Sequence, residues 1–302
     1  MKRELMKVFV TGATGFVGNA VVNELIGAGH KVLGLARNDE AAERLKAAGA
    51  EVHHGDLENL DSLIAGAQSA DGIIHLGFIH DFTRFAEVCE IDRIAIEAIG
   101  NTILGTDKPF LVTSGTLVAG PGQLASEDTI PDYEHSHNPR LASEKAVDTL
   151  AAKGVKVSVV RLSPSVHGEG DLHGFVPMLI DIARKKGESA YIGAGLNRWT
   201  GVHRLDAAVL YRLALDKAQP GLRFHAVADE AVTLKSIAEI IGSKLDIPVV
   251  SKSGNAAASH FGFFEHFASI DGPASAHATR ETLGWNPTHP SLPEDLVSGI
   301  YF

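Results

Sequence analysis

Three glycines at three-residue spacing, Gly12, Gly15 and Gly18, form the pattern in this sequence that most directly indicates a chemistry. They follow an apolar, β-branched run and open a stretch, Phe16–Ala28, with amphipathic helical periodicity. The pattern predicts a strand, a tight turn and a helix. The first glycine permits the turn, the second lets the backbone approach a phosphate, and the third lets the helix pack on the strand. Because N–H groups at a helix N-terminus lack partners, the arrangement favours pyrophosphate binding.

Arg37 and Asn38 follow the predicted second strand, Lys31–Leu35. At this strand end an acidic side chain receives the ribose hydroxyls of NAD, whereas an arginine accommodates the 2′-phosphate of NADP. We therefore predict NADP(H) as the cofactor. NAD is the alternative, because the Asp39 carboxylate lies close enough in sequence to reach the ribose. The competing interpretation of Arg37 is a solvated residue before the predicted helix Asp39–Ala48.

Two further predicted strands end in residues suited to a dinucleotide. Asp56 follows the third strand, Ala50–His54, and its carboxylate either accepts a hydrogen bond from the adenine amino group or caps the next turn. Gly77 ends the fourth strand, Asp71–Leu76, at the carboxyl edge where open α/β sheets bind ligands.

Strands and helices alternate over roughly the first 160 residues, which predicts an α/β fold with a doubly wound parallel sheet and right-handed crossovers. We predict a Rossmann domain over residues 1–165, joined by residues 205–228, and a smaller C-terminal α/β substrate lobe over residues 166–204 and 229–302. The later predicted elements are a helix at Phe85–Leu104, a strand at Phe110–Thr113, a helix between Pro139 and Gly154, a strand at Val155–Leu162, a loop at Ser163–Leu172, a helix at Phe175–Lys186, a loop at Gly193–Asp206, a helix at Asp206–Lys217, a strand at Phe224–Val227 and a helix from Thr233 to Lys244.

The composition of the chain argues against several classes of partner and structure. The net charge of −10 over 302 residues argues against a nucleic-acid or membrane partner, and a single cysteine, Cys89, excludes an internal disulfide. No apolar run approaches the ~20 residues of a membrane span, and the basic stretch Met1–Lys7 precedes a short strand rather than a signal-peptide core.

His135 and His137 lie in a long acidic loop and are interpreted as solvated, so no metal is predicted. We expect a cytoplasmic monomer or homodimer that acts on a small molecule.

Five segments in order resemble the extended and atypical branches of the short-chain dehydrogenase/reductase superfamily, which contain NAD-dependent epimerases/dehydratases, 3β-hydroxysteroid dehydrogenases and dihydroflavonol reductase-like proteins. These segments are Thr11–Gly18, Gly55–Leu57, Ile74–Gly77, Val112–Ser114 and Arg161–Gly168, and Trp199–Asp206 is also similar. The resemblance covers nearly the whole chain and implies NAD(P) at the sheet edge. The cofactor-binding residues expected from the residues and this resemblance are Gly12, Thr14, Gly15, Phe16, Val17, Gly18, Arg37, Asn38, Asp56, Leu57, Leu76, Gly77, Lys145, Leu162 and Ser165.

The resemblance also implies a Tyr-x-x-x-Lys pair on the helix after the long loop, with a Ser or Thr at the end of the fifth strand. Lys145 matches the lysine, which holds the nicotinamide ribose, but Leu141 occupies the tyrosine position and exchanges no proton. Gly115 falls at or beside the hydroxyl position. The candidate catalytic residues are therefore Lys145, Ser114, Thr116 and Arg140, with Tyr133, His135 and His137 as further candidates near the missing proton donor.

The remaining candidates belong to the substrate side. His167 either faces the substrate or is satisfied within its loop. An aromatic set either lines an apolar pocket over the nicotinamide or forms ordinary core: Phe175, Tyr191, Trp199, His203 and Phe261–Phe267.

Two hypotheses from different classes follow from these residues. The first is an NADP(H)-dependent oxidoreductase with a non-standard proton donor, acting on a small carbonyl, an activated alkene or an alcohol. The second is a catalytically silent NAD(P)-binding sensor or interaction protein. A nucleotide-sugar epimerase-like enzyme is a further alternative, although its mechanism depends most on the missing tyrosine.

Overall fold

A computed structural model describes residues 5–302, so residues 1–4 of the basic N-terminal stretch lie outside the described part. The strands are β1 (Lys7–Thr11), β2 (Lys31–Ala36), β3 (Glu51–His54), β4 (Gly72–His75), β5 (Phe110–Gly115), β6 (Val157–Leu162), β7 (Ser165–His167), β8 (Ser189–Ile192), β9 (Arg198–His203), β10 (Arg223–Ala226), β11 (Asp229–Thr233) and β12 (Val249–Lys252).

The α-helices are α1 (Phe16–Gly27), α2 (Asp39–Ala47), α3 (Leu60–Gln68), α4 (Phe85–Thr102), α5 (Leu141–Ala152), α6 (Phe175–Lys186), α7 (Arg204–Lys217), α8 (Leu234–Leu245), α9 (Gly254–Phe261), α10 (Glu265–Ser269), α11 (His277–Leu283) and α12 (Leu292–Ser298). Short 3₁₀ helices lie at Phe82–Arg84, Thr116–Ala119 and Gly262–Phe264. Across residues 5–302, none of the helices combines the length and apolar character that a membrane crossing requires.

Seven strands form one parallel sheet in the order β10-β6-β5-β4-β1-β2-β3. The chain runs outward from β1 to β3 and then returns to β4 on the other side of β1. This reversal defines a doubly wound, Rossmann-type sheet and confirms the predicted fold class. It also brings the carboxyl ends of β1 and β4 to the point where such sheets bind ligands.

The apolar cores on the two faces of the sheet follow from the alternation of side chains along each strand. In β1, Val8 and Val10 pack with α1 and α7 on one face, while Phe9 packs with α3 and α4 on the other. Gly66 of α3 leaves room for the Phe9 ring, since a Cβ there would lie 2.4 Å from it. Each fully buried side chain of this size contributes roughly 1.5–3 kcal/mol to folding.

Two segments predicted as loops, Ser163–Leu172 and Gly193–Asp206, contain β7 and β9, so those predictions are wrong. The two strands pair in parallel, with His167 opposite His203, and β11 pairs antiparallel to β9 on its other side. Such short strands are ordered by pairing with a distant segment, and pairing of that kind leaves no periodic signal in the sequence.

A third apolar core lies outside the large sheet, among α6, α8, α9, α10 and α12. Trp199 of β9 is fully buried in it and contacts Phe264 and Phe175 edge-on or tilted. We call these helices, with β8 and β12, the C-terminal lobe. The predicted helix Phe175–Lys186 is confirmed. The exact division of the chain into two domains stays a prediction.

Candidate functional site

The loop between β1 and α1 requires glycine at two positions. Gly12 has a φ of +65°, and a Cβ there would lie 2.7 Å from the backbone nitrogen of Gly77 at the end of β4. A Cβ on Gly18 would lie 2.0 Å from the carbonyl oxygen of Gly12. Because both obstacles are backbone atoms, neither position accepts a side chain without a backbone shift. The loop is therefore fitted closely between α1 and the two central strands.

The N-terminus of α1 is available to an anion. Its N-cap, Gly15, provides no side-chain acceptor, and the first turn holds no acidic residue. Gly15 is exposed and Phe16 and Val17 are half-buried. The Thr14 carbonyl accepts a hydrogen bond of 2.9 Å from Arg44, which fastens α2 to the loop. Free N–H groups at the positive end of a helix suit a phosphate, so the residues present fit a dinucleotide diphosphate.

A buried chain of hydrogen bonds joins this loop to β4. The Gly77 N–H donates to Thr11 Oγ1 at 3.0 Å, and Thr11 Oγ1 lies 2.8 Å from His75 Nδ1. His75 Nε2 lies 3.0 Å from a carboxylate oxygen of Asp92 on α4. Each group is satisfied if neutral His75 carries its proton on Nε2, donates it to Asp92 and accepts from the Thr11 hydroxyl.

Asp92 is also the point where α5 is attached. Its second carboxylate oxygen accepts hydrogen bonds from Arg140 at 2.6 Å and from Ser143 at 2.5 Å. Burial by itself raises the pKa of Asp92, but the Arg140 guanidinium and the His75 hydrogen bond lower it to about 2. Asp92 is therefore an ionised carboxylate in the interior, and it was not among the residues expected from the sequence.

Arg140, predicted as a catalytic candidate, is committed to structural partners. Besides Asp92 it contacts Ser143, donates to the Thr113 carbonyl at 2.8 Å and lies over the Phe78 ring at 4.4 Å. Its side chain is only 16% exposed. A contact between Arg140 and substrate stays a prediction.

A second buried charge group holds the opposite side of α5. Glu144 accepts hydrogen bonds from Arg161 of β6 at 2.7 and 2.8 Å and from Arg223 of β10 at 3.1 Å. Arg223 also pairs with Asp148, which accepts the Tyr133 hydroxyl at 2.7 Å. Burial and the Asp148 carboxylate raise the pKa of Tyr133. Tyr133 is therefore poorly suited to replace the missing proton donor.

Ser114 provides an unpartnered hydroxyl at the end of β5. It lies on the strand face that carries Val112, which shares a core with Val147 of α5, while Thr113 turns to the other face and contacts Tyr211. Ser114 is 4% exposed, and its Oγ has no hydrogen-bond partner among residues 5–302. Thr116, the other predicted hydroxyl, is paired: its Oγ1 lies 3.2 Å from that of Thr200.

Lys145 and Leu141 lie one turn apart on α5. Leu141 is 7% exposed and brings no polar group. Lys145 is exposed, and its ammonium forms no hydrogen bond or ion pair within the described chain, although its backbone carbonyl accepts from the Thr149 hydroxyl at 2.8 Å. Within the described chain, the Lys145 ammonium is thus a charged group of this helix turn that is available to a ligand.

The predicted adenosine-binding residues lie beyond β2 and β3. Arg37 and Asp39 are exposed and, as far as the structure describes the chain, have neither hydrogen bonds nor ion pairs. Asn38 Oδ1 accepts from the Ala41 N–H at 2.9 Å and caps α2. The Asp56 carboxylate accepts hydrogen bonds of 2.9 Å from two backbone N–H groups of the following turn. Asp56 therefore caps that turn, as the second of its two interpretations predicted. An adenine contact by Asp56 stays a prediction.

Four further predicted cofactor residues lie at or shortly after the ends of β3, β4 and β6. Leu57, Leu76 and Leu162 are half-buried, and Leu57 lies against Gly77. Ser165 of β7 is 2% exposed, and its hydroxyl has no partner among the described residues.

The histidines separate into two groups. His135 and His137 are exposed in their loop, and His135 contacts Asp132. His167 is fully buried and its Nδ1 lies 2.6 Å from Asp295 of α12. His167 thus holds the last helix against β7, and a role toward substrate stays a prediction.

An aromatic contact joins the large sheet to the C-terminal lobe. Phe82, in the segment between β4 and α4, stacks on Phe263 at 6.3 Å and meets Phe267 edge-on at 5.6 Å. The centre of the Phe267 ring lies 5.0 Å from that of the Phe175 ring. Phe263 is 67% exposed. Of the predicted aromatic set, Trp199, Phe261 and Phe264 are core residues. Phe82 was missed, although the Phe-rich stretch 78–85 was a usable signal.

A doubly wound parallel sheet, a glycine loop suited to a diphosphate at its switch point, and a lysine-bearing helix beside β5 define a protein of the short-chain dehydrogenase/reductase type. The model of the NAD dependent epimerase/dehydratase family matches residues 8–227. The chain belongs to this family, and it is an NAD-binding Rossmann protein of the oxidoreductase type.

Individual proteins agree with this assignment. The chain is 48% identical over 298 residues to an uncharacterized protein of Schizosaccharomyces pombe, covering 98% of this chain and 100% of that protein. It is 24% identical over 272 residues to the 4-hydroxy-2-methyl-3-oxo-4-farnesyl-3,4-dihydroquinoline-1-oxide ketoreductase of Stigmatella aurantiaca, covering 85% and 80% of the two chains. Its fold is similar to that of the dTDP-glucose 4,6-dehydratase DesIV of Streptomyces venezuelae with NAD bound, with a TM-score of 0.78, 15% identity and coverage of 98% and 96%.

We expect Asp92→Asn to lower the free energy of unfolding at pH 7 by about 3–5 kcal/mol, because it leaves the Arg140 guanidinium without its buried counter-charge. Urea unfolding measures the change. The matched control is Glu90→Gln on the same helix, whose partner Arg93 is at the surface, and it should cost less than about 1 kcal/mol.

The cost of Asp92→Asn should depend on pH. The folded pKa of about 2 lies below the ~3.9 of an unfolded aspartate, so the ionised group stabilises the fold above pH ~4 and loses that contribution as pH falls toward 2. The difference between wild type and variant should therefore shrink over that interval. A difference that stays constant from pH 7 to pH 2.5 would contradict the assignment of Asp92 as an ionised anchor.

Proposed function

We propose that this protein is an NADP(H)-dependent oxidoreductase that interconverts a small carbonyl compound and its alcohol without a catalytic tyrosine. The family is NAD-dependent, and the Stigmatella aurantiaca relative is named as a ketoreductase. A bound nicotinamide dinucleotide supplies or accepts the hydride. The chain's own residues then have to bind the cofactor, hold the substrate oxygen and provide for one proton.

The observation that carries the proposal is the unpartnered hydroxyl of Ser114. A buried polar group without a partner costs about 1–3 kcal/mol, so it is retained where a ligand completes it. Ser114 is at the carboxyl end of β5, the sheet edge where this fold binds ligands. We assign it to donate a hydrogen bond to the substrate oxygen, which gains negative charge as hydride arrives.

Lys145 supplies the positive charge at this site. Its ammonium is exposed and uncommitted, whereas Arg140 of the same region is neutralised by Asp92. We assign Lys145 to hold the nicotinamide ribose of the bound cofactor, and the proton for the substrate oxygen would come from water. Leu141 then contributes only an apolar wall in place of the usual acid.

The preference for NADP rests on the charges after β2. Asn38 is used as the cap of α2, and Arg44 is bonded to the Thr14 carbonyl. Arg37 is therefore the cation at this strand end that remains free to receive a 2′-phosphate. Asp39 is in the first turn of α2, where its charge is favourable to the helix dipole.

A silent NADP-binding protein is the second candidate, and the buried Leu141 favours it. The two candidates differ in turnover and not in cofactor affinity. Tight NADPH binding with no carbonyl-dependent oxidation at 340 nm across aliphatic and aromatic ketones and aldehydes would support the silent protein and contradict the proposed reaction.

We expect NADPH to bind at least tenfold more tightly than NADH, as measured by nicotinamide fluorescence. Arg37→Gln should weaken NADPH about 10- to 100-fold and leave NADH nearly unchanged, because it removes a charge-assisted contact to the 2′-phosphate alone. Arg184→Gln, an exposed arginine on α6, is the charge-matched control and should change neither affinity. Tighter binding of NADH by the wild type would assign the ribose to Asp39 or the backbone.

Ser114→Ala should reduce kcat about 10²- to 10³-fold with little change in NADPH affinity, because the lost hydrogen bond is needed chiefly as charge develops. Lys145→Met should reduce both turnover and NADPH affinity. Lys153→Met, at the C-terminal end of the same helix, is the control for the loss of a lysine. Equal activity of Ser114→Ala and wild type on a reducible carbonyl would remove Ser114 from the reaction.

A further inference from the structure

Arg204 lies beside the glycine loop although it comes from the far half of the chain. It is the first residue of α7, directly after β9, and its guanidinium carbon lies 5.0 Å from the centre of the Phe16 ring. Phe16 is the first residue of α1. Eight residues further along each helix, Arg212 of α7 pairs with Glu24 of α1. The two helices therefore run parallel, with both N-termini at the carboxyl edge of the sheet.

No carboxylate of residues 5–302 forms an ion pair with Arg204. Its Nε is buried without a hydrogen-bond partner, and in residues 5–302 its guanidinium forms no hydrogen bond or ion pair. Nearby carboxylates are used elsewhere: Asp206 accepts from His289 and two backbone N–H groups, and Asp171 accepts from the Gly174 N–H. Glu169, in the loop that approaches Arg204 at Gly170, is exposed and forms no ion pair within the described chain.

An arginine in this state lacks an acceptor. Its guanidinium has five donors in a planar fork that matches phosphate oxygens, and an unpaired buried donor costs free energy until a ligand accepts from it. The Phe16 ring gives the cation a resting contact but accepts no conventional hydrogen bond. The adjoining first turn of α1 likewise offers N–H groups with no side-chain cap.

We propose that Arg204 binds the cofactor diphosphate together with the backbone N–H groups at the start of α1. The dinucleotide would then be held by the glycine loop and by a cation delivered on α7. Arg204 was not among the expected cofactor residues, because the glycine pattern contains no information on a residue almost two hundred positions away. The inference rests on the dinucleotide site of the proposed function, but neither on the preference for NADP nor on the role of Ser114.

A set of ligands that differ in the diphosphate tests the assignment. Dissociation constants of NADP⁺, NAD⁺, ADP-ribose and adenosine 2′-phosphate are measured by calorimetry or by competition against NADPH fluorescence. Arg204→Gln should weaken the first three, which contain the diphosphate, by a common factor of about 10- to 100-fold. Adenosine 2′-phosphate, which lacks it, should bind as to wild type. Arg37→Gln should give the opposite pattern and weaken only the two ligands with a 2′-phosphate.

Matched variants separate a binding role from a structural one. Arg212→Gln makes the same charge change on the same helix and should leave all four constants unchanged even if its melting temperature falls. Arg204→Lys, which keeps the charge, should recover most of the affinity for ADP-ribose. If Arg204→Gln is unstable, Arg204→Lys still tests the assignment by its relative effects on ADP-ribose and adenosine 2′-phosphate.

The outcomes distinguish this inference from the proposed function. If the wild type prefers NAD⁺ and Arg204→Gln weakens NAD⁺ and ADP-ribose alike, the inference holds and the NADP preference fails. Unchanged constants for ADP-ribose in a folded Arg204→Gln, or an equal loss for adenosine 2′-phosphate, would overturn it. A wild type that binds no diphosphate ligand would overturn both.

Discussion

The buried carboxylate of Asp92 is the interaction on which the geometry of the site depends. It receives His75 from β4 and both Arg140 and Ser143 from the start of α5. Through His75 it is connected to Thr11, the last residue of β1, which directly precedes the glycine loop. Removing such a charge from water is costly, and it is tolerated because every oxygen of Asp92 is paired and hydrogen-bonded. One interior anion therefore fixes the distance between the loop that suits a diphosphate and the helix that carries Lys145.

Glu144 gives α5 a second attachment, to Arg161 and Arg223, on the side away from Asp92. The first turn of α5 is thus held by two independent charge groups, and Lys145 is left free between them. Each buried charge group is sensitive to substitution, because loss of one partner leaves the other as a buried charge whose desolvation is not compensated. A rigid frame around an uncommitted lysine and an unpartnered serine is what preorganised catalysis requires. This rigid frame supports the proposed enzyme over the silent alternative.

The parts predicted from sequence are those set by local sterics and periodicity. Gly12 and Gly18 were predicted from their spacing to form a tight turn, and their neighbours leave no space for a Cβ. The helices were predicted from their apolar faces. The parts that were missed depend on distant partners. In the sequence, Asp92 is indistinguishable from an ordinary polar residue on a helix, because its partners His75 and Arg140 are distant along the chain. β7 and β9 were predicted as loops because they are ordered by pairing with each other and, for β9, with β11.

Distant partners also explain why the proposed cofactor site combines residues from both halves of the chain. The glycine loop is formed by residues 12–18, yet its uncapped end lies against α7, which begins nearly two hundred residues later. In the segment between β4 and α4, Phe82 contacts Phe263 and Phe267 of the lobe region. A molecule bound along the carboxyl edge therefore meets groups from both halves. Because a ligand that contacts both halves stabilises the state in which they are in contact, cofactor affinity and the stability of that contact should be thermodynamically linked.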